Sequence, residues 1–407
     1  MNYDWGESGN GAFIPNLLGV EAEEKKWAEL WVGAHKKAPS KVCGLPLCEL
    51  YPNIEGLFKI LAAWDMLSIQ VHPNKNQALS GFEREEKANI ELSKRSYKDP
   101  NPKPEFTIPI THFWALSGFL LKQKFIESFG AVPELQKEFE TEINNLEKAN
   151  TKNEVFIAKK TIYEKVMRLD QKNINRLLEP IIKKITKQNE QIPFKEPQIE
   201  YWVLRANKKY NVNNNYDVGL FSFYMLQLVH LTPISIKNNY TKIVGQALHL
   251  EPGNGLFTPA GVPHSYLSGV CAEHMINSDN VVRAGLTPKH KDIDELLKLV
   301  DYSETGVLEM VPEVTRSPAD IEYCYSYEGI PLKTIFVNQL IDYKKEYTAS
   351  KDKPCFILVT RGKLEVIWKD KAYSFSKGEC VLIPPDVDTC FFINTKDNSS
   401  YFYISEN

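Results

Sequence analysis

The sequence predicts a mainly β protein interrupted by a long helical insertion, and three observations lead there. Short strand-like runs bounded by Pro and Gly fill the chain from Tyr3 to Leu121 and resume at Val218. Between them, Lys122 to Tyr216 is rich in Lys, Glu, Asn and Gln, with apolar residues at helical spacing. After about Glu309 a third region ends in strong alternation at Cys355–Val359 and Leu364–Trp368. The expected organisation is a β unit in two parts, 1–121 and 217–310, split by a helical domain at 122–216 and followed by a second β unit at 311–407.

The elements follow in order. Leu57–Ala62 reads as an apolar strand carrying Lys59, a cation that is costly to bury without an anion. In Ser68–His72, Ser68, Gln70 and His72 share one strand face while Leu67, Ile69 and Val71 share the other. Pro73 ends the pairing because it has no N–H. Three prolines, Pro100, Pro102 and Pro104, stiffen the approach to Glu105, which enters the strand-like Phe106–Ile110. In the insertion, Leu135, Phe139, Ile143 and Leu146, then Ile162, Val166 and Leu169, mark the buried faces of helices, with Pro133 and Pro180 as punctuation. Phe221–Leu231 is an apolar run where strand texture returns, and Glu251–Gly255 is a turn. Arg361-Gly362-Lys363 suits the turn between the last two alternating strands.

With 407 residues and 43% hydrophobic composition, there is ample material for a large core. A net charge of −3 argues against nucleic acid as the main partner. The start, Met1–Gly6, lacks the basic and apolar stretches of a secretory leader, and no run is apolar for the length of a membrane helix. Seven cysteines without a Cys-x-x-Cys pair read as reduced thiols, so a cytoplasmic location is expected. Cys271 draws notice only through its neighbour Glu273.

Gly253 and Pro259-Ala-Gly-Val-Pro-His264 give the spacing G-x5-P-x-G-x2-H, the second half of the metal signature of cupin (jelly-roll) barrels. If His264 is a ligand, partners belong at alternate positions of an earlier strand, which Gln70 and His72 supply. A third ligand should be anionic, and Glu105 is the candidate, although the spacing suits a proline-rich surface loop equally well. Gln70, about 6.6 Å along the strand from His72 on the same face, is the fourth. Two imidazoles, one carboxylate and one amide suit zinc or another borderline divalent metal. Lys59, Lys103, Arg283 and Lys289 would suit a substrate bearing phosphate or carboxylate, with surface salt bridges as the other reading. In the last region Gly378 and Pro384 repeat the half-motif spacing, yet Asp386 and Asp388 stand at the glycine and histidine positions. A second, degenerate barrel without metal is the economical expectation. Two histidines and a carboxylate also make the facial triad of iron(II) oxygenases, and a non-catalytic sugar-phosphate-binding cupin is a further alternative.

The quoted stretches add up to a resemblance. Asn2–Gly6 (NYDWG), Glu29–Ala34 (ELWVGA), Leu67–Lys75 (LSIQVHPNK), Tyr97–Glu105 (YKDPNPKPE), Pro259–Gly269 (PAGVPHSYLSG) and Asn277–Lys289 (NSDNVVRAGLTPK) make the chain similar to type I mannose-6-phosphate isomerases. The resemblance implies a catalytic cupin interrupted by a helical domain and followed by a cupin-like domain. It implies one Zn2+ per chain on Gln70, His72, Glu105 and His264, and it makes Arg283 catalytic. Lys59, Ser68 and Lys289 match positions associated with the phosphate, and Lys103, Glu273, Tyr266 and Asp279 fall in the substrate cavity. Glu273 and Lys103 are candidates for moving the proton. Pro102 departs from the pattern, since relatives often carry histidine there. The implied reaction interconverts mannose 6-phosphate and fructose 6-phosphate through an enediol(ate). It supplies mannose phosphate for GDP-mannose and glycan synthesis or feeds mannose into glycolysis. A monomer acting on a small phosphorylated sugar, with no nucleic-acid or membrane partner, is expected.

Overall fold

One long strand organises the first 310 residues. His264–Ile276 runs through 13 residues and changes partners along its length. Near its start it pairs antiparallel with Phe113–Phe119 and Ile69–Val71, and beyond Gly269 with Gly56–Ala63 and Glu105–Pro109. The change falls at a register shift between Tyr266 and Ser268. Gly269 follows with φ 113°, where a Cβ would collide with the His112 carbonyl. Around this strand runs an 11-stranded sheet, with Glu29–Gly33 on Gly56–Ala63 and Val282–Gly285 on Ile69–Val71. Gly255–Thr258 lies on Glu105–Pro109, and Leu226–Leu231 on Phe113–Phe119. The computed structural model describes residues 1–235, 246–304, 306–316, 320–328, 330–339, 343–347, 352–385, 387, 389–394 and 399–406.

Six helices occupy the middle of the chain: Lys122–Phe129, Pro133–Glu138, Glu140–Lys148, Lys152–Met167, Gln171–Gln191 and Ile199–Tyr210. Pro133 opens a helix, where its missing N–H costs nothing, and Pro180 lies inside the longest one. Thr151 and Glu154 cap each other's backbone N–H groups at the start of Lys152–Met167. Leu135, Phe139, Ile143, Leu146, Ile162 and Val166 are buried, and Leu169 packs at the edge of the same core. That core is shared with the sheet: Phe119 meets Tyr163 edge-on and stacks on Tyr302, at 5.3 and 5.5 Å between ring centres. No helix among the described residues is long and apolar enough to cross a membrane.

The apolar run Phe221–Leu231 divides at a point that no residue pattern marks. Val218–Tyr224 is a 3₁₀ helix and only Leu226–Leu231 is a strand. Both halves are buried on every side, so hydrophobicity carries no period that separates them.

The C-terminal strands form a six-stranded and a four-stranded sheet. Cys355–Arg361 belongs to the first and Lys363–Trp368 to the second, so Gly362, at φ 71°, turns a corner between sheets. The hairpin turn proper is Lys369-Asp370, both at positive φ, joining Lys363–Trp368 to Lys371–Ser376. Asp386 and Asp388 lie outside the described residues. This unit docks on the first through an apolar cluster that joins Ile14, Phe58, Ile60 and Phe106 to Tyr325, Leu332, Phe402 and Ile404. Two polar contacts pin it: the Tyr325 hydroxyl donates to the Gly253 carbonyl at 2.7 Å, and His274 Nε2 lies 2.6 Å from Thr334 Oγ1.

Candidate active site

The strands bring the predicted ligands together by register. Gln70 is paired with His264 on one side and Arg283 on the other, and His264 is also paired with Ser117. Residues opposite one another in neighbouring strands point to the same face. Gln70, His264 and Arg283 therefore form one row across the sheet. Glu105 enters from the proline-stiffened loop, at the head of Glu105–Pro109.

His72, Glu105 and His264 converge at the centre, all fully buried. Glu105 Oε1 is 3.3 Å from His72 Nε2, and Oε2 is 3.5 Å from His264 Nε2. Each ring is fixed from behind: His72 Nδ1 meets the Asn280 carbonyl at 2.8 Å, and His264 Nδ1 the Val262 carbonyl at 2.8 Å. A carbonyl only accepts, so each Nδ1 carries the proton and each Nε2 is left with a lone pair. Neither Nε2 has a hydrogen-bond partner, an expensive state for a buried polar atom. Ligands held about 2.1 Å from a tetrahedral ion lie about 3.4 Å apart, which matches both His–Glu separations. The donor set fits a borderline divalent metal. Burial, and then Lys103, push the His72 pKa down to about 3, so the ring is neutral as a ligand must be. Burial alone would raise Glu105, but Lys103, 2.8 Å away, and then His72 outweigh it and hold the carboxyl well below its ordinary range.

Loop geometry explains why the motif glycine is needed. Gly261 sits at φ 84°, and its N–H donates to the His72 carbonyl at 2.9 Å. The loop that ends in His264 is thereby tied to the strand that ends in His72. On the other side, buried Asn280 uses its whole side chain to hold the proline loop. Its Oδ1 accepts from the N–H groups of Lys98 and Asp99, and its Nδ2 donates to the carbonyls of Asp99 and Asn101. One residue thus positions His72 through its carbonyl and the approach to Glu105 through its amide.

A cavity of about 360 Å³ opens over Gln70 and Glu105. Its wall includes Lys59, Ser68, Lys103, Tyr266, Glu273 and Asp279, and continues through Arg283 and Lys289, so every predicted site residue outside the buried triad's two histidines reaches it. Glu273 and Lys59 are register partners, 3.1 Å apart at Oε2 and Nζ, and Glu29 approaches Lys59 at 3.6 Å. Burial opposes the charge on Lys59, but Glu29 and Glu273 more than compensate and raise its pKa. Glu273 is raised by burial and then by Glu105, with Lys59 and Lys103 pulling the other way. The Tyr266 hydroxyl lies 2.9 Å from Thr107 Oγ1 and 3.3 Å from Glu105 Oε2. Asp279 approaches His35 Nε2 at 3.9 Å.

Sequence reasoning missed several wall residues. Glu29 and Trp31 sit in a stretch noted only for its resemblance, yet Trp31 Nε1 donates to Glu29 Oε2 at 3.0 Å and its ring lies 5.0 Å from Lys59 Nζ. Lys98 sits in another such stretch, and Lys37 carries no sequence signal of its own; both line the cavity. Lys209 and Tyr210, at the end of the last insertion helix, reach the same wall, and both bond the Met66 carbonyl. For Glu29 and Trp31 the missing signal was strand register, and for the others the packing of distant segments, both invisible in a single sequence.

The chain is similar to known proteins of one kind. Residues 52–122 match the family model for the catalytic domain of type I phosphomannose isomerase. The mannose-6-phosphate isomerase of Homo sapiens is 28% identical over 394 residues, covering 89% of this chain and 86% of the human one. That of Salmonella typhimurium is 28% identical over 355 residues, covering 79% of this chain and 78% of its own. Among solved structures, the apo form of mannose 6-phosphate isomerase from Salmonella typhimurium superposes with TM-score 0.77 and 25% identity, over 100% of this chain and 97% of the other. A mannose 6-phosphate isomerase bound with zinc and yttrium gives the same TM-score and identity over the same shares.

Proposed function

We infer that this chain is a type I mannose-6-phosphate isomerase, interconverting D-mannose 6-phosphate and D-fructose 6-phosphate. The observation that carries the reading is the buried His72–Glu105–His264 triad, with two inward Nε2 atoms that no protein group satisfies, beneath a cavity lined by cations. We take the metal to be zinc, one per chain, with the Gln70 amide as fourth ligand. A cupin jelly-roll reading of both β units, the second without metal, and the four-part domain division rest on the family resemblance. So do a monomeric state and a cytoplasmic location.

A divalent ion at the triad supplies Lewis-acid polarisation of a substrate carbonyl. The chain's own groups then divide the remaining work. Arg283, in the row beside Gln70, offers fixed positive charge to the oxygens of the enediol(ate). Burial, and then Glu105, raise the Glu273 pKa above its ordinary value, the direction that makes a carboxylate a better proton acceptor. Lys59, already met by two carboxylates, holds Glu273 in place and supports its ionised form. Lys103 stands on Glu105 and is the other candidate for proton transfer. Tyr266 orients Glu105, and Ser68, Asp279 and Lys289 line the cavity around the sugar phosphate.

The test is a coupled isomerase assay with metal analysis. Chelation is expected to abolish turnover and zinc to restore it, with solvent deuterium entering the sugar during turnover. A metal-free chain of undiminished activity, or turnover with no deuterium entering the sugar, overturns the reading.

A further inference from the structure

Of the cations that line the cavity, some are already neutralised. Lys59 is held by Glu29 and Glu273, Lys103 by Glu105, and Lys209 by Asp65 at 3.3 Å. Lys37, Lys98, Arg283 and Lys289 line the same cavity, and among the described residues none of them has a carboxylate within ion-pair distance. Like charges that line one cavity without a paired carboxylate repel one another, and at Lys98 and Arg283 partial burial removes some of the water that would screen them. Lys98 shows this most clearly. Burial lowers its pKa, Asp279 opposes the shift, and Arg283, Lys37 and Lys289 each add to it. Lys289 is lowered by burial, then by Arg283 and Lys37, with Asp4 opposing. The backbone of Lys98 is not free to carry the charge away, because its N–H is fixed to Asn280 Oδ1 at 2.7 Å. The chain thus builds an end of the cavity that is short of negative charge.

We propose that Lys98, with Lys37, completes the anion end of the cavity and grips the phosphate dianion of the substrate together with Lys289, while Arg283 keeps to the enediol(ate) oxygens. A phosphate monoester carries about −1.5 to −2 charges at neutral pH and three acceptor oxygens, which suits several donors converging from different segments. The assignment deepens the isomerase reading and rests on it for the identity of the sugar. The anion site itself requires only the cavity.

The test measures inorganic phosphate binding to the zinc-loaded protein by calorimetry, alongside isomerase kinetics. Lys98→Gln is expected to weaken inorganic phosphate about tenfold and to raise KM for mannose 6-phosphate by a similar factor, with kcat nearly unchanged. Lys37→Gln should act in the same direction by a smaller factor, and Lys98→Arg should recover most of the loss. In the unaltered protein, inorganic phosphate should slow acylation of Lys98 and leave remote Lys172 untouched, a readout that needs no variant to fold. Phosphate affinity within twofold of the original in Lys98→Gln, or no protection of Lys98, overturns the inference alone. A chain that binds phosphate through Lys98 yet exchanges no aldose for ketose keeps the anion site and overturns the isomerase reading.

Discussion

Asn280 shows how much of a metal site can depend on a residue that contributes no ligand. Its amide secures the backbone of Lys98 to Asn101, and its carbonyl fixes the proton of His72 on Nδ1. Groups behind a ligand typically change metal affinity by about 10–100-fold. Asn280→Ala should therefore weaken zinc by about that factor in a chelator competition, and lower the melting temperature through unsatisfied backbone groups. Unchanged affinity would show that the carbonyl alone suffices. His274 offers a test of a different kind. It is fully buried, stacked 4.1 Å from Phe106, and burial pushes its pKa down to about 3, below its ordinary 6.5. Between those values the unfolded chain binds a proton that the folded chain refuses, so stability rises with pH. This contribution is complete above about pH 6.5 and erodes by at most about 1.4 kcal/mol per pH unit as pH falls toward 3. Urea unfolding from pH 7 to 5 should show that slope, reduced by about one proton's worth in His274→Asn. The histidines announced themselves by motif, whereas Glu29, Lys98 and Asn280 did not. Their roles come from partners at distant positions, as Lys59 is to Glu29 and Asp99 to Asn280.

At the scale of elements, the short strand Ile69–Val71 was legible because alternation and burial agree: Ile69 and Val71 are fully buried while Gln70 faces the cavity. The helices of the insertion were legible for the same reason, with one apolar face each. The 3₁₀ segment Val218–Tyr224 was not, because complete burial erases periodicity. The corner at Gly362 escaped because a glycine turn reads the same whether it joins strands within a sheet or between two. The loop before His264 gives the clearest prediction at this scale. A side chain at Gly261 would be strained at φ 84°, and its Cβ would stand 3.0 Å from the Leu299 carbonyl. Gly261→Ala should cost about 1–3 kcal/mol and loosen the tie to His72, so thermal stability and zinc affinity should fall together. A fall in stability with intact zinc affinity would separate the loop from the site.

The whole molecule is held by a strand that serves two masters. Glu273 faces the cavity while its neighbour His274 faces the C-terminal sheets, meeting Thr334. The apolar cluster around Phe58, Phe106, Leu332 and Phe402 spans both units, so neither covers its own surface. A chain ending at residue 310 should expose that face and elute as aggregate in size-exclusion chromatography. A soluble, active fragment would contradict this. The docking was not legible in advance, because the alternating C-terminal pattern states only that one face is buried and not against what.

The order of the ligands along the chain also has a consequence for synthesis. His72 and His264 are 192 positions apart, and the strand that carries the second pairs with four others of its sheet. At a ribosomal pace of about 5–20 residues per second, roughly 10–40 s separate their emergence. Throughout that interval a nascent chain offers only a fragment of its coordination sphere. Loading with metal is therefore a late event in the life of each new polypeptide, and it joins strands that have long been waiting for their partner.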